Sequence, residues 1–517
     1  MNKKINNSII YNVYPTSFYD SNDDGIGDLK GIEQKLDYIK QFADIVWINP
    51  VYKSPFRDGG YDVEDYYQID EKFGTLQDIR ELTEKAHELG MKVLFDLVVG
   101  HTSDKHPWFL ESQKCEKNEF SDRYIWNDDV FGGCPYKHIS GNSERNGNYL
   151  INFFCFQPSL NFGFSEKKFD WQNRYTDEAC CKLHEQVEDI IKFYMKLGVD
   201  GFRVDLANSI VKDDINGKCS CEVWNKIFAN VKKIYPEALF VSEWGQPKFA
   251  VKNGGFDIDF LTHCYDEGYN NLFRKESGTN VLKSEGKSFF RKEGLGEATT
   301  FFNYLFENLN EIKGKGYLSV VTGNHDLPRI SMGRTFEELK TVFAFILALP
   351  CVPLIYYGDE IGMPYINLKN KDGGYCRTGA RTPMHWSSEK NAGFSKCDKE
   401  LYLPVHPNYR EVNYETLSQD ENSLVNTVKR LVEMKRNNPD VFSCDAQFEL
   451  LNETYPLVFK RTAADRTLVC AVNPTDRALD LKLPDGMVLA SENVERENEN
   501  VIMGPVSYVW LIEKNIQ

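Results

Sequence analysis

The chain has 517 residues, a formal net charge of −16 and a sequence pI near 5.2. That length is about three times the size of an average domain, so we expect one large fold or two to three domains. A strongly acidic chain is poorly suited to neutralising phosphates, which argues against nucleic acid and anionic membrane surfaces as partners. Hydrophobic residues at 41% and charged residues at 27% are typical of a globular protein with a sizeable core.

The N-terminal sequence MNKKINNSIIYNVYP lacks the apolar stretch of a signal peptide, and no later window is long and apolar enough for a membrane span. We therefore predict a cytoplasmic protein that does not bind membranes. The 13 cysteines are scattered and form no C-x-x-C pair, which favours free thiols over a zinc or redox site.

From Ser8 to Tyr357, short runs rich in β-branched residues alternate with segments of helical periodicity. The short runs predict eight strands: Ser8–Tyr14, Asp44–Ile48, Met91–Val98, Val199–Asp205, Leu239–Glu243, Asp257–Leu261, Tyr317–Thr322 and Val352–Tyr357. The periodic segments predict helices at Leu29–Phe42, Leu76–Leu89, Asp177–Leu197, Cys221–Tyr235 and Phe336–Leu349. Alternation of this kind predicts an α/β fold built on a parallel (β/α)8 barrel, with an open doubly wound sheet as the alternative.

Two regions depart from the alternation. Residues 102–170 follow the third strand, are rich in Gly, Asn, Asp and aromatic residues, and are too long for an ordinary connection, which predicts an inserted subdomain. From residue 440 short alternating runs replace the helices, which predicts a C-terminal antiparallel β domain over residues 440–517. The barrel would then comprise residues 1–101 and 171–439.

Charged side chains stand at the ends of several predicted strands. Asp96 lies near the end of the third strand, Arg203 and Asp205 at the end of the fourth, Glu243 at the end of the fifth, and Asp326 after the seventh. Because the reactive groups of such barrels lie at the carboxyl ends of the strands, we expect these side chains to converge. Each acid taken singly could equally cap a helix or pair with an arginine, so the joint arrangement carries the argument.

Four segments make the pattern specific: FDLVVGH (95–101), GFRVD (201–205), SEW (242–244) and GNHD (323–326). In order and in strand assignment they resemble the conserved segments of the α-amylase superfamily, the retaining α-glycoside hydrolases of family 13. The resemblance continues through DGIGDLKGI, QPSLNF, PLIYYGDEIGM and RTPMHW, and it is closest to the oligo-1,6-glucosidase and α-glucosidase branch. It implies a TIM barrel with a subdomain inserted after strand three and a C-terminal antiparallel β-sandwich.

The resemblance also implies roles for the residues at the strand ends. Asp205 matches the nucleophile, Glu243 the general acid/base, and Asp326 the carboxylate that stabilises the transition state. A retaining glycosidase needs one ionised carboxylate to attack and one protonated carboxyl to donate, about 5–5.5 Å apart. Arg203 precedes Asp205 by two residues on a strand, so it projects to the same face and would keep the nucleophile ionised, with Asp96 in support.

Five further residues match substrate-binding positions of the family. The segment SPFRDGGYD resembles the stretch that holds the terminal glucose in oligosaccharide α-glucosidases, which maps Asp58 and Tyr61 to that pocket. Arg377 matches the arginine that completes the end wall, and His101 and His325 match ligands of the sugar hydroxyls. A carboxylate and a guanidinium that close the pocket would stop a longer chain from extending past the first sugar, which predicts exo action over endo action.

The segment DSNDDGIGD alternates oxygen-bearing side chains in the manner of a calcium-binding loop. Glucosidases of the branch bind calcium there, so a structural Ca²⁺ is predicted, with a solvated acidic turn as the alternative. No organic cofactor is implied. The predicted ligands are Asp20, Asn22, Asp24, Asp28 and the backbone carbonyl of Ile26.

Some positions depart from the family pattern. Gly100 replaces the asparagine that helps to bind an interdomain calcium in many α-amylases, which implies that this second calcium site is absent. Ser159 replaces the aspartate of the usual QPDLN segment. Leu206 and the two residues after it stand where relatives carry residues linked to α-1,4 or α-1,6 preference, so the linkage stays open at this stage.

The leading prediction is a cytoplasmic exo-α-glucosidase that acts on malto- or isomalto-oligosaccharides by double displacement. Transglycosylation or isomerisation, in which a sugar intercepts the glycosyl-enzyme, is the alternative within the fold, and an endo-acting α-amylase is weaker. A non-catalytic, transporter-associated homologue is remote, because all three acids are present. The expected partner is a small oligosaccharide, while its chain length and the oligomeric state stay open.

Overall fold

The computed structural model of the protein describes residues 5–131, 133–261, 267–275, 286–373 and 375–513. Eight parallel strands form a closed barrel: β1 (Ile10–Val13), β2 (Ile45–Ile48), β3 (Lys92–Leu97), β4 (Gly201–Val204), β5 (Leu239–Ser242), β6 (Ile258–Leu261), β7 (Tyr317–Val321) and β8 (Val352–Tyr356). Each strand pairs with the next along the chain, and β8 closes the barrel against β1. The predicted (β/α)8 barrel is confirmed, and the open sheet is excluded.

Burial on both faces explains why the strands read as nearly continuous apolar runs. Every barrel strand except β3 buries all of its residues, because helices cover the outside and side chains fill the inside. Among the buried polar side chains of the strands, Asp96 in β3 and Arg203 in β4 lie near the carboxyl ends. Charged residues at this depth mark the end of the barrel that holds the site.

Four of the five predicted helices are present within three residues of their predicted ends. The helices Thr299–Ile312 and Leu424–Asn437 were not predicted. Thr75 and Thr335 each begin a helix with a capping box, in which the threonine side chain and an acidic residue three positions later satisfy each other's backbone N–H. The α-helices of the barrel region span Leu29–Gln34, Leu36–Lys40, Leu76–Glu88, Glu178–Met195, Lys218–Ile234, Pro247–Ala250, Tyr269–Phe273, Thr299–Ile312, Phe336–Ala348, Tyr414–Ser418 and Leu424–Asn437.

The single helix predicted over residues 29–42 is wrong. The segment forms two short helices that meet at Lys35, whose backbone (φ −103°, ψ 8°) leaves the helical region. The ammonium group of Lys35 lies 4.2 Å from the ring centroid of Tyr19 and 4.3 Å from that of Trp386. This cation–π contact draws on a ring from a distant part of the chain, so the helical periodicity of the segment does not reveal it.

Residues 102–170 leave the barrel after β3. They contain a helix, Pro107–Ser112, and a three-stranded antiparallel sheet whose central strand is Asn148–Leu150, flanked by Trp126–Asn127 and His138–Ser140. The chain that follows the sheet carries Phe153 and Phe154 to the mouth of the barrel. The inserted segment therefore shapes the entrance to the site.

The C-terminal region is an antiparallel sheet, as predicted. One face of the sheet packs on the barrel through Trp510, whose indole N–H donates to the carbonyl of Ala344 at 3.1 Å. A second apolar cluster, which includes Val469, Met503 and Leu511, lies on the other face of the sheet, since its residues alternate along the strands with those that face the barrel. The strands are β9 (Gln447–Asn452), β10 (Leu457–Ala463), β11 (Arg466–Asn473), β12 (Leu479–Lys482), β13 (Gly486–Glu497) and β14 (Asn500–Glu513).

The domain boundaries near residues 101, 170 and 439 stay predictions of the sequence. Within the described ranges, no helix is both long enough and apolar enough to cross a membrane. The cysteines whose side chains are described are free thiols.

Candidate active site

The carboxyl ends of the barrel strands open into a cavity of about 320 Å³. Eight of the predicted site residues line it, and the other two of the barrel, Asp96 and Arg203, lie directly behind them. A larger surface groove of about 910 Å³ lies at the opposite end of the barrel, near Tyr317, and contains no predicted site residue. The cavity at the carboxyl end is lined by Asp58, Tyr61, His101, Phe153, Phe154, Gln157, Asp205, Leu206, Glu243, His325, Asp326 and Arg377.

Arg203 joins three carboxylates from three neighbouring strands. Its Nη1 lies 2.5 Å from Asp96 Oδ1 and 3.0 Å from Asp205 Oδ1, and its Nη2 lies 2.6 Å from Glu243 Oε1. The guanidinium is only 2% exposed, so salt and water screen these ion pairs weakly. A single buried cation thus holds side by side the two carboxyl groups that the sequence assigns to the chemistry.

Burial and charge together set the protonation of these acids. Burial raises the pKa of Asp205 well above its ordinary value; Arg203 opposes the shift, and repulsion from Glu243 and Asp96 adds to it. Burial likewise raises the pKa of Asp96 to about 6 against the attraction of Arg203. Three carboxylates exceed the charge of one guanidinium, so a proton on the group relieves repulsion.

A chain of ion pairs forms one wall of the cavity. Arg377 Nη2 lies 2.8 Å from Asp58 Oδ1, and its Nη1 lies 2.9 Å from Asp326 Oδ1. Gln157 Nε2 donates to Asp58 Oδ2 at 2.6 Å, and Arg381 Nη2 lies 3.0 Å from Asp326 Oδ1. Asp58 and Arg377 stand 319 positions apart in the sequence, and the fold brings them together as the family resemblance implied.

The two acids of this wall differ in protonation. Burial raises the pKa of Asp58 to about 6, although Arg377 and Gln157 oppose the shift. Burial also acts on Asp326, but His325 and the adjacent guanidinium groups of Arg377 and Arg381 hold its pKa well below its ordinary value. Asp326 is therefore a permanent negative charge in the cavity, whereas Asp58 titrates near pH 6.

Two histidines line the cavity with different hydrogen bonds. His101 engages both ring nitrogens within the protein, with Nε2 at 2.9 Å from a backbone carbonyl and Nδ1 at 3.2 Å from Asn152 Nδ2. His325 contacts Asn49 Nδ2 through Nδ1 at 3.1 Å. Burial lowers the pKa of His101 to about 4 and that of His325 well below its ordinary value, so both rings are neutral at pH 7.

Tyr61 is bound into the same network. Its ring stacks on the imidazole of His325 with centroids 5.1 Å apart and an angle of 11° between the planes. Its hydroxyl lies 2.9 Å from Asn49 Nδ2 and 3.2 Å from Asp96 Oδ2. One face of the Tyr61 ring is therefore covered by His325, and the residue still lines the cavity.

Leu206 adopts a left-handed backbone conformation (φ 43°, ψ 44°) directly after Asp205. Such a conformation is strained for leucine. Here it directs the backbone N–H of Leu206 to Glu243 Oε2 at 3.1 Å. The residue after the predicted nucleophile thereby orients the predicted acid/base.

The motifs did not single out four polar residues of the site: Asn49, Asn152, Gln157 and Arg381. Gln157 and Arg381 belong to QPSLNF and RTPMHW, segments that carried the family resemblance, so their positions held a usable signal. Asn49 directly follows β2, and strand-end placement is the only signal that could have found it.

Asn152 accounts for two departures from the family pattern. A Cβ atom at Gly100 would lie 2.8 Å from Asn152 Nδ2, so a side chain there would require Asn152 to move from its present position. Ser159 Oγ donates to Asn152 Oδ1 at 2.6 Å, and Lys212 Nζ donates to the same oxygen at 2.8 Å. The residues at positions 100, 152 and 159 thus form one compatible set that supports His101.

The predicted calcium loop is folded around its own backbone N–H groups. Asp20 Oδ2 accepts from the N–H of Gly25 at 2.8 Å, and Asn22 Oδ1 accepts from the N–H of Asp24 at 3.0 Å. Asp24 Oδ1 accepts from the N–H of Ile26 at 2.9 Å. Asp28 Oδ1 accepts a backbone N–H of the following helix at 2.7 Å.

The oxygen-only ligand set of this loop suits a hard cation such as Ca²⁺ in chemical type. Its side chains are directed to N–H donors, however, and among the described residues no group of three or more acidic, His or Cys side chains converges to hold a metal ion. Calcium binding at residues 20–28 therefore stays a prediction. The loop contributes no residue to the cavity.

Comparisons with known proteins agree with this geometry. Residues 12–444 match the model of the α-amylase catalytic domain. An oligo-1,6-glucosidase from Bacillus cereus is 31% identical over 98% of this chain and 97% of that protein. A glucan 1,6-α-glucosidase from Streptococcus pneumoniae serotype 4 is 31% identical over 92% of each chain.

A solved structure shows the same arrangement in three dimensions. The trehalose-6-phosphate hydrolase of Bacillus licheniformis superposes with a TM-score of 0.82 at 26% identity, over 99% of this chain and 100% of that one. The family model and the curated relatives both extend across most of the sequence. The chain therefore belongs to the α-amylase family and is a glycoside hydrolase.

Proposed function

We propose that the protein is an exo-acting, retaining α-glucosidase that removes terminal α-linked glucose from short malto- or isomalto-oligosaccharides. The observation that carries the proposal is the wall of Asp58, Arg377 and Asp326 beside the pair of acids on Arg203. A cavity of about 320 Å³ is at the small end for ligand sites, which suits one terminal sugar better than an extended chain.

The reaction proceeds in two displacements. Asp205 attacks the anomeric carbon while Glu243 donates its proton to the glycosidic oxygen, so the new C–O bond forms as the old one breaks. The leaving sugar departs and a glycosyl-enzyme remains. Glu243, now a carboxylate, takes a proton from water, whose oxygen displaces Asp205 in the second step. Two inversions at one carbon retain the α configuration.

The charges around Arg203 support this division of roles. Repulsion from Glu243 is one cause of the raised pKa of Asp205, and it vanishes when Glu243 carries a proton. Arg203 then favours the ionised form of Asp205, as a nucleophile requires. The N–H of Leu206, 3.1 Å from Glu243 Oε2, orients the acid.

Asp326 supplies the third charge. The pKa of this residue lies well below its ordinary value beside Arg377 and Arg381, so it is ionised throughout the working pH range. A fixed carboxylate that faces the cavity stabilises the positive charge that develops on the sugar ring in an oxocarbenium-like transition state.

Two features bear on substrate and acceptor. The names of the relatives that share 31% identity specify 1,6 linkages, which supports α-1,6-linked glucose as the first substrate to test. The ion-paired wall counts against an endo-acting α-amylase, because a longer chain has no exit past Arg377.

Water is the proposed acceptor, with a sugar acceptor as the competing outcome. A cytoplasmic location stays a prediction of the sequence.

Product analysis tests the proposal. Purified protein is incubated with maltotriose, isomaltotriose, panose, sucrose and soluble starch, beside an Asp205→Asn variant, and the products are followed by chromatography. We expect stepwise release of glucose from at least one trisaccharide and none from the variant. Larger fragments from starch would contradict exo action. Longer or isomeric sugars would show that the enzyme transfers glucose to a sugar and does not hydrolyse the substrate.

The configuration of the first product tests the double displacement. Proton NMR during the first minutes of hydrolysis, before mutarotation, should show α-glucose. Initial release of β-glucose would mean a single displacement and would remove Asp205 from the role of nucleophile.

A further inference from the structure

The orientation of two buried amides follows from one backbone carbonyl. The carbonyl of Trp47 can only accept, so the atom of Asn12 that lies 3.2 Å from it is the nitrogen Nδ2. The same nitrogen lies 3.0 Å from the amide of Asn49, whose facing atom must be the oxygen Oδ1. The other terminal atom of Asn49 is therefore a nitrogen with two protons to donate.

These two protons have defined acceptors. Asn49 Nδ2 lies 2.9 Å from the Tyr61 hydroxyl and 3.1 Å from His325 Nδ1. The Tyr61 hydroxyl directs its own proton to Asp96 Oδ2 at 3.2 Å, so it accepts from Asn49. Asp96 Oδ2 lies farther from Asn49 Nδ2, at 3.3 Å, and already accepts from the indole of Trp47 at 2.9 Å. The second proton of Asn49 therefore goes to His325 Nδ1, which must be unprotonated.

His325 carries a single proton. Burial lowers its pKa well below the ordinary value, and Arg381 and Arg203 reinforce burial against the opposing charge of Asp326. A neutral imidazole whose Nδ1 accepts a hydrogen bond carries its proton on Nε2. That nitrogen lies 3.4 Å from Asp326 Oδ2 in a ring that lines the cavity.

We propose that Asn49 is a positioning residue that locks His325 in the Nε2–H tautomer and thereby presents a hydrogen-bond donor to a hydroxyl of bound glucose. His101 provides a contrast, because its Nε2 proton goes to the backbone carbonyl of Tyr61. The two histidines thus differ in what they offer the sugar. The effect on glucose rests on the proposed glucosidase function, whereas the tautomer does not depend on it.

The tautomer is measured directly by NMR. Protein labelled with ¹⁵N-histidine gives distinct signals for protonated and unprotonated ring nitrogens, and a His325→Gln variant identifies the signals of His325. In the wild type we expect the proton on Nε2. In Asn49→Asp the carboxylate can only accept, so Nδ1 must gain a proton and the pattern must change.

Kinetics measure the consequence for the reaction. Asn49→Ser, whose shorter side chain no longer reaches Nδ1, should lower kcat/KM about 10–100-fold, the loss expected for one directed hydrogen bond in a buried polar site. Asn413→Ala is the matched control: it removes a buried asparagine that caps the helix Tyr414–Ser418 and does not line the cavity, and it should leave the signals of His325 unchanged.

A proton on Nδ1 in the wild type would overturn the proposal, as would a wild-type spectrum and wild-type kinetics in both Asn49 variants. The Ser variant keeps the test decisive if the Asp variant does not fold. If the wild type cleaves no glucoside, the proposed function fails, and the spectrum still decides the tautomer.

Discussion

The cavity and the loop at residues 20–28 both gather carboxylates, yet they bind them in different ways. In the cavity Asp58, Asp205 and Asp326 each contact a guanidinium group within 3.0 Å. In the loop Asp20 and Asp28 contact backbone N–H groups of their own segment. Ion pairs with arginine side chains hold the first group, and hydrogen bonds to local backbone N–H groups hold the second.

What an acidic cluster can do depends on the groups that its carboxylates contact. Carboxylates that accept local N–H groups fold a turn and use up their oxygens in doing so. Carboxylates that share a buried guanidinium keep oxygens towards the cavity, and the shared charge spreads their pKa values, so that Asp326 stays ionised and Asp58 titrates near pH 6. Only the second arrangement supplies one acid and one base side by side.

The largest effect is expected from Asp205→Asn. The amide keeps the shape of the side chain and cannot form the glycosyl-enzyme, so kcat should fall by at least about 10⁴-fold. Asp28→Asn in the loop is the matched control, because it makes the same change at a buried position. Asp28 accepts from the N–H of Gly31 with one oxygen and from the N–H of Ser21 with the other, and an amide has only one oxygen, so Tm should fall while kcat is unchanged. Equal losses of activity in both variants would contradict the claim that only the carboxylates of the cavity take part in the reaction.

Arg377→Gln should produce the next largest effect. The variant leaves Asp58 and Asp326 without the cation that joins them, so kcat/KM should fall about 10–100-fold and longer products should appear. Arg466→Gln is the control, because Arg466 also spans a carboxylate, at 2.9 and 3.0 Å from Asp440, but lies remote from the cavity. Wild-type kinetics and exclusive release of glucose by Arg377→Gln would refute the proposal that the ion pairs of Arg377 limit the cavity to one terminal sugar.

The pH dependence of glucose binding tests the ionisation of Asp58. Its pKa of about 6 means that the group is ionised above that pH and neutral below it, where its ion pair with Arg377 is lost. With Asp205→Asn as the background, the Kd of glucose measured by calorimetry should rise about fivefold from pH 6 to pH 5. An added Asp58→Asn should abolish this dependence, and its persistence would assign the titration to another group.

The smallest effect concerns the loop. The sequence predicts that Ca²⁺ at ten times its Kd raises Tm by about 2 °C after dialysis against a chelator. Asp24→Asn, an exposed ligand position, should lose this shift without a change in kcat. If Ca²⁺ does not change the Tm of the wild type, the loop does not bind calcium and is a turn stabilised only by hydrogen bonds from its backbone N–H groups.

Much of the fold and the centre of the site follow from the sequence. Buried runs and helical periods identify the barrel because both depend on local spacing. Asp205, Glu243 and Asp326 could be found because strand ends converge in this fold and because the segments around them match a family. The ion pair between Asp58 and Arg377, 319 positions apart, came from the family resemblance and not from spacing.

The remainder depends on tertiary contacts that no local pattern carries. Lys35 interrupts a helical period where its ammonium meets the rings of Tyr19 and Trp386. Asn49 and His325 are 276 positions apart, and nothing in their surrounding sequences marks them as hydrogen-bond partners. Orientation of buried amides and tautomers of histidines arise from the assembled network, so they become visible only in the structure.

The most direct test of the account uses a pentasaccharide of α-linked glucose labelled at its reducing end. Chromatography of the earliest products should show unlabelled glucose and a labelled tetrasaccharide, followed by a labelled trisaccharide, if the ion pair of Asp58 and Arg377 closes the cavity behind one terminal sugar as proposed. Labelled mono- or disaccharides among the first products would show cleavage within the chain and would contradict the exo-acting cavity.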